Sequence, residues 1–194
     1  MSSKQADTRT RILETTWQLL EQQQGQGVKM SDIARDVGIS RQAVYLHFPT
    51  RTELLIATMN YVDEVKGLDK QLAQLQDAEN GTDMLGALVK TWGNYIPEIY
   101  GMAKAMLQSK DSDEAMAEAW DNGMQCLLDI CQQTVKRIKR DGQLHPDWSA
   151  AKAAEYLWTL LSVANWEHLT KDCGWSQKAY VQHLQQATKQ LLTT

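Results

Sequence analysis

Apolar residues recur at three- and four-residue spacing along almost the whole chain, and no segment sustains the period-two alternation of a half-buried strand. Glycine and proline fall between these periodic segments. The pattern predicts helices at about 8–23, 30–37, 41–47, 51–66, 68–77, 82–96, 97–109, 114–140, 150–171 and 177–192. We therefore expect an all-α protein in which each of the three prolines, Pro49, Pro97 and Pro146, precedes or begins a helix.

The segment SDIARDVGISRQAVYLHF predicts two short helices joined by a tight turn at residues 38–40. Gly38 can adopt the left-handed backbone that ends the first helix, and the Ser40 hydroxyl can cap the second. One shared core is expected to contain the apolar residues of the segment, Ile33, Val37, Ile39, Val44 and Phe48. Two short helices joined in this way form a helix-turn-helix.

Polar side chains occupy the outward face of the second of these helices if Val44 points into the core. Arg41 can bridge guanine O6 and N7, and Gln42 can bridge adenine N6 and N7. Tyr45 and His47 can donate hydrogen bonds to phosphate oxygens. Similar helix pairs occur in ordinary helical bundles, but this outward set favours a helix that enters the major groove of DNA.

The stretch VYLHFPTRTELL resembles the signature of the TetR/AcrR family of transcriptional regulators. The matching residues are Gly38, Ser40, Val44, Tyr45, His47, Phe48, Pro49, Arg51, Leu54 and Leu55. The resemblance implies an all-α fold with a three-helix DNA-binding head at residues 1–52 and a larger ligand-binding and dimerisation body at residues 53–194. It also implies a homodimeric repressor that binds a palindromic operator in double-stranded DNA and is released by a small molecule.

The same resemblance assigns DNA contacts around the helix-turn-helix. Arg51 stands where family members have a phosphate-contacting lysine, and Thr50 and Glu53 form a capping-box pattern at the start of the fourth helix. Lys29 stands where the family usually has a capping threonine, so either Ser31 caps the second helix or that helix begins without a side-chain cap. The expected DNA-binding residues are Lys29, Ser31, Ser40, Arg41, Gln42, Tyr45, His47, Thr50 and Arg51.

Two C-terminal helices carry enough apolar surface to need burial on two sides. Residues 156–169 are apolar nearly all round, and the last helix offers a second apolar stripe. We expect these helices to form a dimer interface, although a larger core within one subunit would explain the same pattern. The expected interface residues are Leu157, Leu161, Ala164, Leu184 and Leu191.

Six of the seven tryptophans lie beyond residue 90, together with several methionines. Such side chains can line an adaptable apolar pocket, although each of them is more often an ordinary core residue. The expected ligand-binding residues are Trp92, Tyr95, Met106 and Trp120. Few charged residues interrupt these helices, which favours an apolar or weakly polar ligand.

Charge is distributed unevenly along the chain. Residues 1–52 contain seven basic and five acidic side chains, a net of +2, whereas the remainder has a net charge of −6. This asymmetry would direct an anionic partner such as DNA to the head. Three sparse cysteines and the lack of a leader-like or membrane-spanning apolar run favour a cytoplasmic protein without metal or cofactor.

Two other functions remain open on the sequence. A helical enzyme or metal protein has little support, because the histidines His145, His168 and His183 lie in different segments and no metal-binding or nucleophile motif is present. We therefore expect no catalytic residues. A DNA-binding regulator that answers to a protein partner, or to no effector, fits the head equally well.

Overall fold

The computed structural model describes residues 3–22 and 28–194, and within the first range it describes side chains from residue 7 onward. Every element in these ranges is a helix, which confirms the all-α class. The helices are α1 (Ser3–Gln22), α2 (Met30–Val37), α3 (Arg41–His47), α4 (Arg51–Lys66), α5 (Leu68–Ala73, followed by a 3-10 turn over Gln74–Asp77), α6 (Gly81–Ser109), α7 (Glu114–Arg140), α8 (Ala150–Leu160), α9 (Val163–Glu167, followed by a π-helical turn over His168–Asp172) and α10 (Gln177–Leu192).

The prediction of a new helix at Pro97 is wrong, because α6 runs through that proline without a break. Proline has no backbone N–H and cannot donate to the carbonyl four residues earlier. That carbonyl belongs to Gly93, and it accepts a hydrogen bond of 2.7 Å from the side-chain amide of Gln177 instead. A residue 84 positions away thus replaces the missing intrahelical donor.

The single helix predicted over residues 150–171 is also wrong, because the chain breaks between α8 and α9. Ser162 has extended backbone angles, and its hydroxyl accepts the N–H of Asn165, which a continuous helix would give to the carbonyl of Leu161. The indole N–H of Trp92 donates to that carbonyl at 2.8 Å. A side chain from α6 therefore stabilises the break.

The chain divides into two compact units. The first comprises Met1–Lys66 and Ile99–Met124, and the second comprises Gly67–Glu98 and Gln125–Thr194. The predicted head at residues 1–52 lies wholly in the first unit, which continues to the end of α4 and includes parts of α6 and α7.

The first unit buries the apolar faces of α1 to α4 against one another. Ile33, Val37, Val44 and Phe48 are buried as predicted, whereas Ile39 in the turn is only half-buried. The Arg11 guanidinium donates to the Val37 carbonyl at 2.6 Å, which satisfies an otherwise unpaired group at the end of α2. Core packing and this hydrogen bond therefore hold the helix-turn-helix in position.

Candidate DNA-binding site

Gly38 forms the turn between α2 and α3 as the sequence predicts. Its φ of 77° and ψ of 36° lie in the left-handed region, which glycine adopts without steric cost. The Gly38 N–H donates to the carbonyls of Ala34 and Arg35, and the Ile39 N–H also donates to Ala34. These bonds satisfy the last carbonyls of α2 and fix the direction in which α3 leaves.

The start and the inner face of α3 also follow the prediction. Ser40 is the N-cap, and its hydroxyl accepts the Ala43 N–H at 3.1 Å. Val44 has no exposed surface, so it anchors the helix in the core. With Val44 facing inward, the rest of a seven-residue helix must present its polar side chains to solvent.

The outward face of α3 carries the predicted base-reading residues. Arg41 and Gln42 are exposed, and Tyr45 is 37% exposed. The Arg41 guanidinium donates to the Tyr45 hydroxyl at 3.2 Å and lies 5.5 Å from the centre of its ring. His47 is half-buried and offers less of its ring to a partner.

Helix α2 begins without a side-chain cap. Of the two predicted alternatives, a cap from Ser31 or no side-chain cap, the second applies. Lys29 occupies the N-cap position, and no side chain bonds to the first N–H groups of the helix. Ser31 is exposed in the first turn and is therefore available to a partner. Thr50 caps α4, because its hydroxyl accepts the Glu53 N–H at 3.1 Å.

The guanidinium of Arg51, predicted as a phosphate contact, is engaged inside the first unit. Its Nε donates to the Val28 carbonyl at 2.6 Å, and its Nη1 donates to Asp113 at 2.6 Å. The third nitrogen, Nη2, is buried. The bond to Asp113 links the start of α4 to the turn between α6 and α7, and the phosphate contact of Arg51 stays a prediction.

The Asp113 carboxylate is held in place for its pairing with Arg51. Its Oδ1 atom also accepts the Met116 N–H at 3.3 Å and so caps α7. The hydrogen bond from Arg51 lowers the pKa of the Asp113 carboxyl, against the opposing effect of partial burial. A carboxyl whose pKa is lowered by folding stabilises the fold above its unfolded pKa of about 3.9, and this stabilisation is lost as the pH falls through the lower folded pKa.

Asp113→Asn is expected to lower the free energy of unfolding by about 2 kcal/mol at pH 7, because it removes the charge that pairs with Arg51 while keeping an oxygen for the α7 cap. The deficit should begin to shrink as the pH falls below about 4, where the carboxyl of the unfolded chain becomes protonated, and should vanish below the lower pKa of the folded carboxyl. Urea unfolding across this pH range measures both effects. Asp111→Asn, an exposed change in the same turn, is the control; equal losses in the two variants would contradict the assignment.

Five of the predicted DNA-binding residues border one open cleft of about 530 Å³ in the first unit. Met30, Ser109, Ser112 and Asp113 complete its wall. The predicted members that meet here are Lys29, Ser31, Arg41, Tyr45 and Arg51. Ser40, Gln42, His47 and Thr50 are not among the cleft residues. The cleft combines cationic and hydroxyl groups, which suits an anionic partner.

The predicted ligand-binding residues are all buried, but they are divided between the two units. Trp92 and Tyr95 pack together in the second unit with ring centres 5.7 Å apart, and the Trp92 N–H is already bonded to Leu161. Met106 and Trp120 lie in the core of the first unit.

Two of the predicted dimer residues need correction. Leu157 and Leu161 have no exposed surface within a single chain, so they are core residues and cannot contact a second subunit. Ala164 and Leu191 are exposed, and Leu184 is half-buried. For Leu157 and Leu161, the apolar pattern is therefore explained by burial in the core of one subunit rather than by a dimer interface.

Residues 12–58 match the family model of bacterial regulatory proteins of the tetR family. The chain carries a domain of the TetR family. This match confirms the resemblance drawn from the helix-turn-helix and the residues after it. The family model describes bacterial regulatory proteins, and it covers the helix-turn-helix and the first half of α4. None of the described helices combines the length and hydropathy that a bilayer crossing requires.

Curated relatives match a limited part of the chain. The nucleoid occlusion factor SlmA of Marinomonas sp. (strain MWYL1) is 34% identical over 64 residues, which are 33% of this chain and 32% of the relative. SlmA of Shewanella denitrificans is 28% identical over 88 residues, or 45% and 44% of the two chains. The chain therefore matches less than half the length of these relatives.

Solved structures share the fold of the whole chain. A transcriptional regulator from Saccharomonospora viridis, solved in complex with choline, covers 97% of this chain and 99% of its own with a TM-score of 0.74 and 21% identity. A TetR-family regulator from Rhodococcus sp. covers 96% and 99% with a TM-score of 0.75 and 18% identity. At these identities the likeness concerns the fold, a helix-turn-helix domain followed by a helical body.

Proposed function

We propose that this protein is a sequence-specific DNA-binding transcriptional regulator of the cytoplasm, which acts as a homodimeric repressor at a palindromic operator. The observation that carries the proposal is the outward face of α3, where Arg41, Gln42 and Tyr45 are exposed on a helix fixed by buried Val44. A helix of this kind within a TetR-family domain has the dimensions and the donors to read the major groove.

The chemistry of the exposed residues separates those that read base edges from those that anchor the protein to phosphates. Arg41 carries paired donors that match guanine O6 and N7, and Gln42 carries a donor and an acceptor that match adenine N7 and N6, so we assign base reading to both. Lys29, Ser31 and Tyr45 offer single donors suited to phosphate oxygens. We propose that Arg51 is not a phosphate contact, because its guanidinium already donates to Asp113 and to the Val28 carbonyl.

Lys29→Ala is expected to reduce the steepness of the plot of log affinity against log salt by about 0.9 per subunit, or about 1.8 for a dimer, because one phosphate contact is lost. Arg51→Ala should leave this slope unchanged after allowance for any unfolded fraction. Fluorescence anisotropy at several salt concentrations measures both slopes. If the slope is reduced equally in the two variants, Arg51 also contacts phosphate.

The proposed dimer uses an apolar patch on the second unit, defined here as half-buried Trp148 together with exposed Tyr156 and Leu191. Tyr156 is 42% exposed and Leu191 is 38% exposed, and the patch brings these apolar surfaces together. The Trp148 ring packs against Tyr156 at 5.3 Å, and its N–H donates to the Leu191 carbonyl at 2.9 Å. Ala164 and Leu184 extend the proposed interface along α9 and α10.

We propose a small, mainly apolar effector, bound by the body near Trp92, Tyr95, Met106 or Trp120. The support is their buried aromatic and thioether character and the existence of a fold neighbour solved with choline. A thermal-shift panel of apolar and quaternary ammonium compounds tests the effector. A compound that raises the melting temperature and also releases the DNA would support this part of the proposal.

A second candidate is a DNA-binding regulator that answers to a protein partner or to no effector. The relatives named as nucleoid occlusion factors favour it, because that name describes a role other than repression released by a small molecule. If the protein binds specific sites but no compound in the panel alters its melting temperature, this candidate is preferred.

The proposed function is tested most directly by selecting DNA duplexes from a random library with the intact wild-type chain and footprinting the product. We expect a palindrome whose half-sites lie about one helical turn apart, or a multiple of it, because a two-fold dimer presents two copies of α3. Selection of no sequence above background would overturn the proposal.

A further inference from the structure

Leu46 is the most exposed large apolar side chain in the part of the chain that the structure describes. It is 82% exposed, whereas the next, Val65, is 52% exposed. Leu46 lies on α3 between Tyr45 and His47, on the helix that presents the polar face. The fold makes no use of this side chain, since almost all of it is in solvent.

Helical spacing places Leu46 in line with Gln42. Residues four apart lie one above the other on a helix, so α3 presents two parallel pairs, Arg41 with Tyr45 and Gln42 with Leu46. The first pair is in contact, with 3.2 Å between the guanidinium and the phenol oxygen. The second pair combines an amide with an aliphatic side chain, and both of its members are exposed.

An aliphatic side chain has one specific partner in the major groove. The C5-methyl group of thymine is the apolar feature that distinguishes base pairs there, and Gln42 is suited to adenine N6 and N7. Four residues of helix rise about 6 Å, which is more than the spacing of about 3.4 Å between stacked base pairs. In a helix that lies along the major groove, Gln42 and Leu46 would therefore reach different base pairs.

We propose that Leu46 is a specificity-determining residue that packs against the C5-methyl group of a thymine beside the base pair read by Gln42. The inference rests on the DNA-binding function proposed above and adds a named base to it. The helix that carries Leu46 also carries the exposed cation Arg41, and Arg41 shares its cleft with the exposed cation Lys29; such charges suit a polyanion better than they suit an apolar protein surface. This charge selects DNA, rather than a second protein, as the occupant.

The test uses a duplex selected by the wild-type chain and a series of copies in which each symmetric pair of thymines is replaced by uracil. Uracil lacks only the methyl group, so its effect isolates that contact. One position should cost wild type about fourfold in affinity per half-site, or about fifteenfold for the dimer, the value expected for burying one methyl group. Leu46→Ala should bind the thymine duplex about fifteenfold more weakly and lose its sensitivity to uracil at that position alone.

Val65→Ala is the matched control, because Val65 is also apolar and exposed but lies on α4. It should keep wild-type affinity and the full uracil response, and circular dichroism should show that both variants remain folded. If Leu46→Ala retains the wild-type response at every thymine, or if wild type responds at none, the inference is wrong while the proposed function stands. If no duplex is selected at all, both fail. Loss of binding to a protein partner but not to DNA in Leu46→Ala would also overturn it.

Discussion

Val44→Asp is expected to unfold the helix-turn-helix and to abolish specific DNA binding. Val44 has no exposed surface and anchors α3, so the change would place a carboxylate without a partner in the core. The loss of packing and the desolvation of the charge together should exceed about 4 kcal/mol, a large part of the stability of an ordinary domain. Thermal unfolding followed by circular dichroism measures this loss.

Tyr45→Ala is the matched control for this experiment. Tyr45 is adjacent to Val44 but points outward, and its hydroxyl contacts only the exposed side chain of Arg41 among the bonds described. We expect this variant to keep the melting temperature within a few degrees and to lose DNA affinity, because a phosphate anchor is removed. If it unfolds as readily as Val44→Asp, the assigned orientation of α3 is wrong.

The helix-turn-helix could be predicted from the sequence because its determinants are local. Gly38, Ser40 and Val44 act within a few residues of their own positions, through a left-handed backbone, a cap and a core contact. The bounds of α2, α3 and α4 followed from these signals and from the proline after Phe48. The polar face of α3 was then fixed by helical periodicity alone.

The helices of the body were harder to predict because distant side chains decide where they end. Pro97 normally stops a helix, but Gln177 supplies the donor that the proline lacks. The run around Leu161 shows no proline or glycine, yet the chain breaks there because Ser162 caps a new helix and Trp92 donates to the buried Leu161 carbonyl that the break leaves without a helical partner. The Ser162 cap could have been predicted from the sequence, whereas the hydrogen bonds from Trp92 and Gln177 could not.

The role of Arg51 depends on a contact across 62 residues. The family resemblance gave its position and charge, but periodicity cannot bring Asp113 to it. The sequence was likewise unable to separate interface residues from core residues. An apolar helix needs burial on two sides, but the sequence does not say which side faces the core of its own subunit. Leu157 and Leu161 face that core.

Leu191→Glu is expected to convert the protein to a monomer and to reduce operator affinity by at least about 100-fold. The side chain is 38% exposed in the patch with Trp148 and Tyr156, so the change adds a charge to a proposed apolar interface without disturbing a core. A dimer binds two half-sites with a gain in effective concentration, and a monomer loses that gain although every DNA contact is intact. Sedimentation velocity and fluorescence anisotropy measure the two effects.

Gln182→Glu provides the control, because it adds the same charge to the same helix. Gln182 is exposed and lies nine residues before Leu191, which places it about half a turn away on the opposite side of α10. We expect this variant to remain a dimer with near wild-type affinity. Leu161→Glu is unsuitable for this purpose, since Leu161 is buried and its replacement would unfold the second unit. If Leu191→Glu stays dimeric at the concentrations at which wild type does, the interface lies on another face of the body, and the apolar patch needs a different partner.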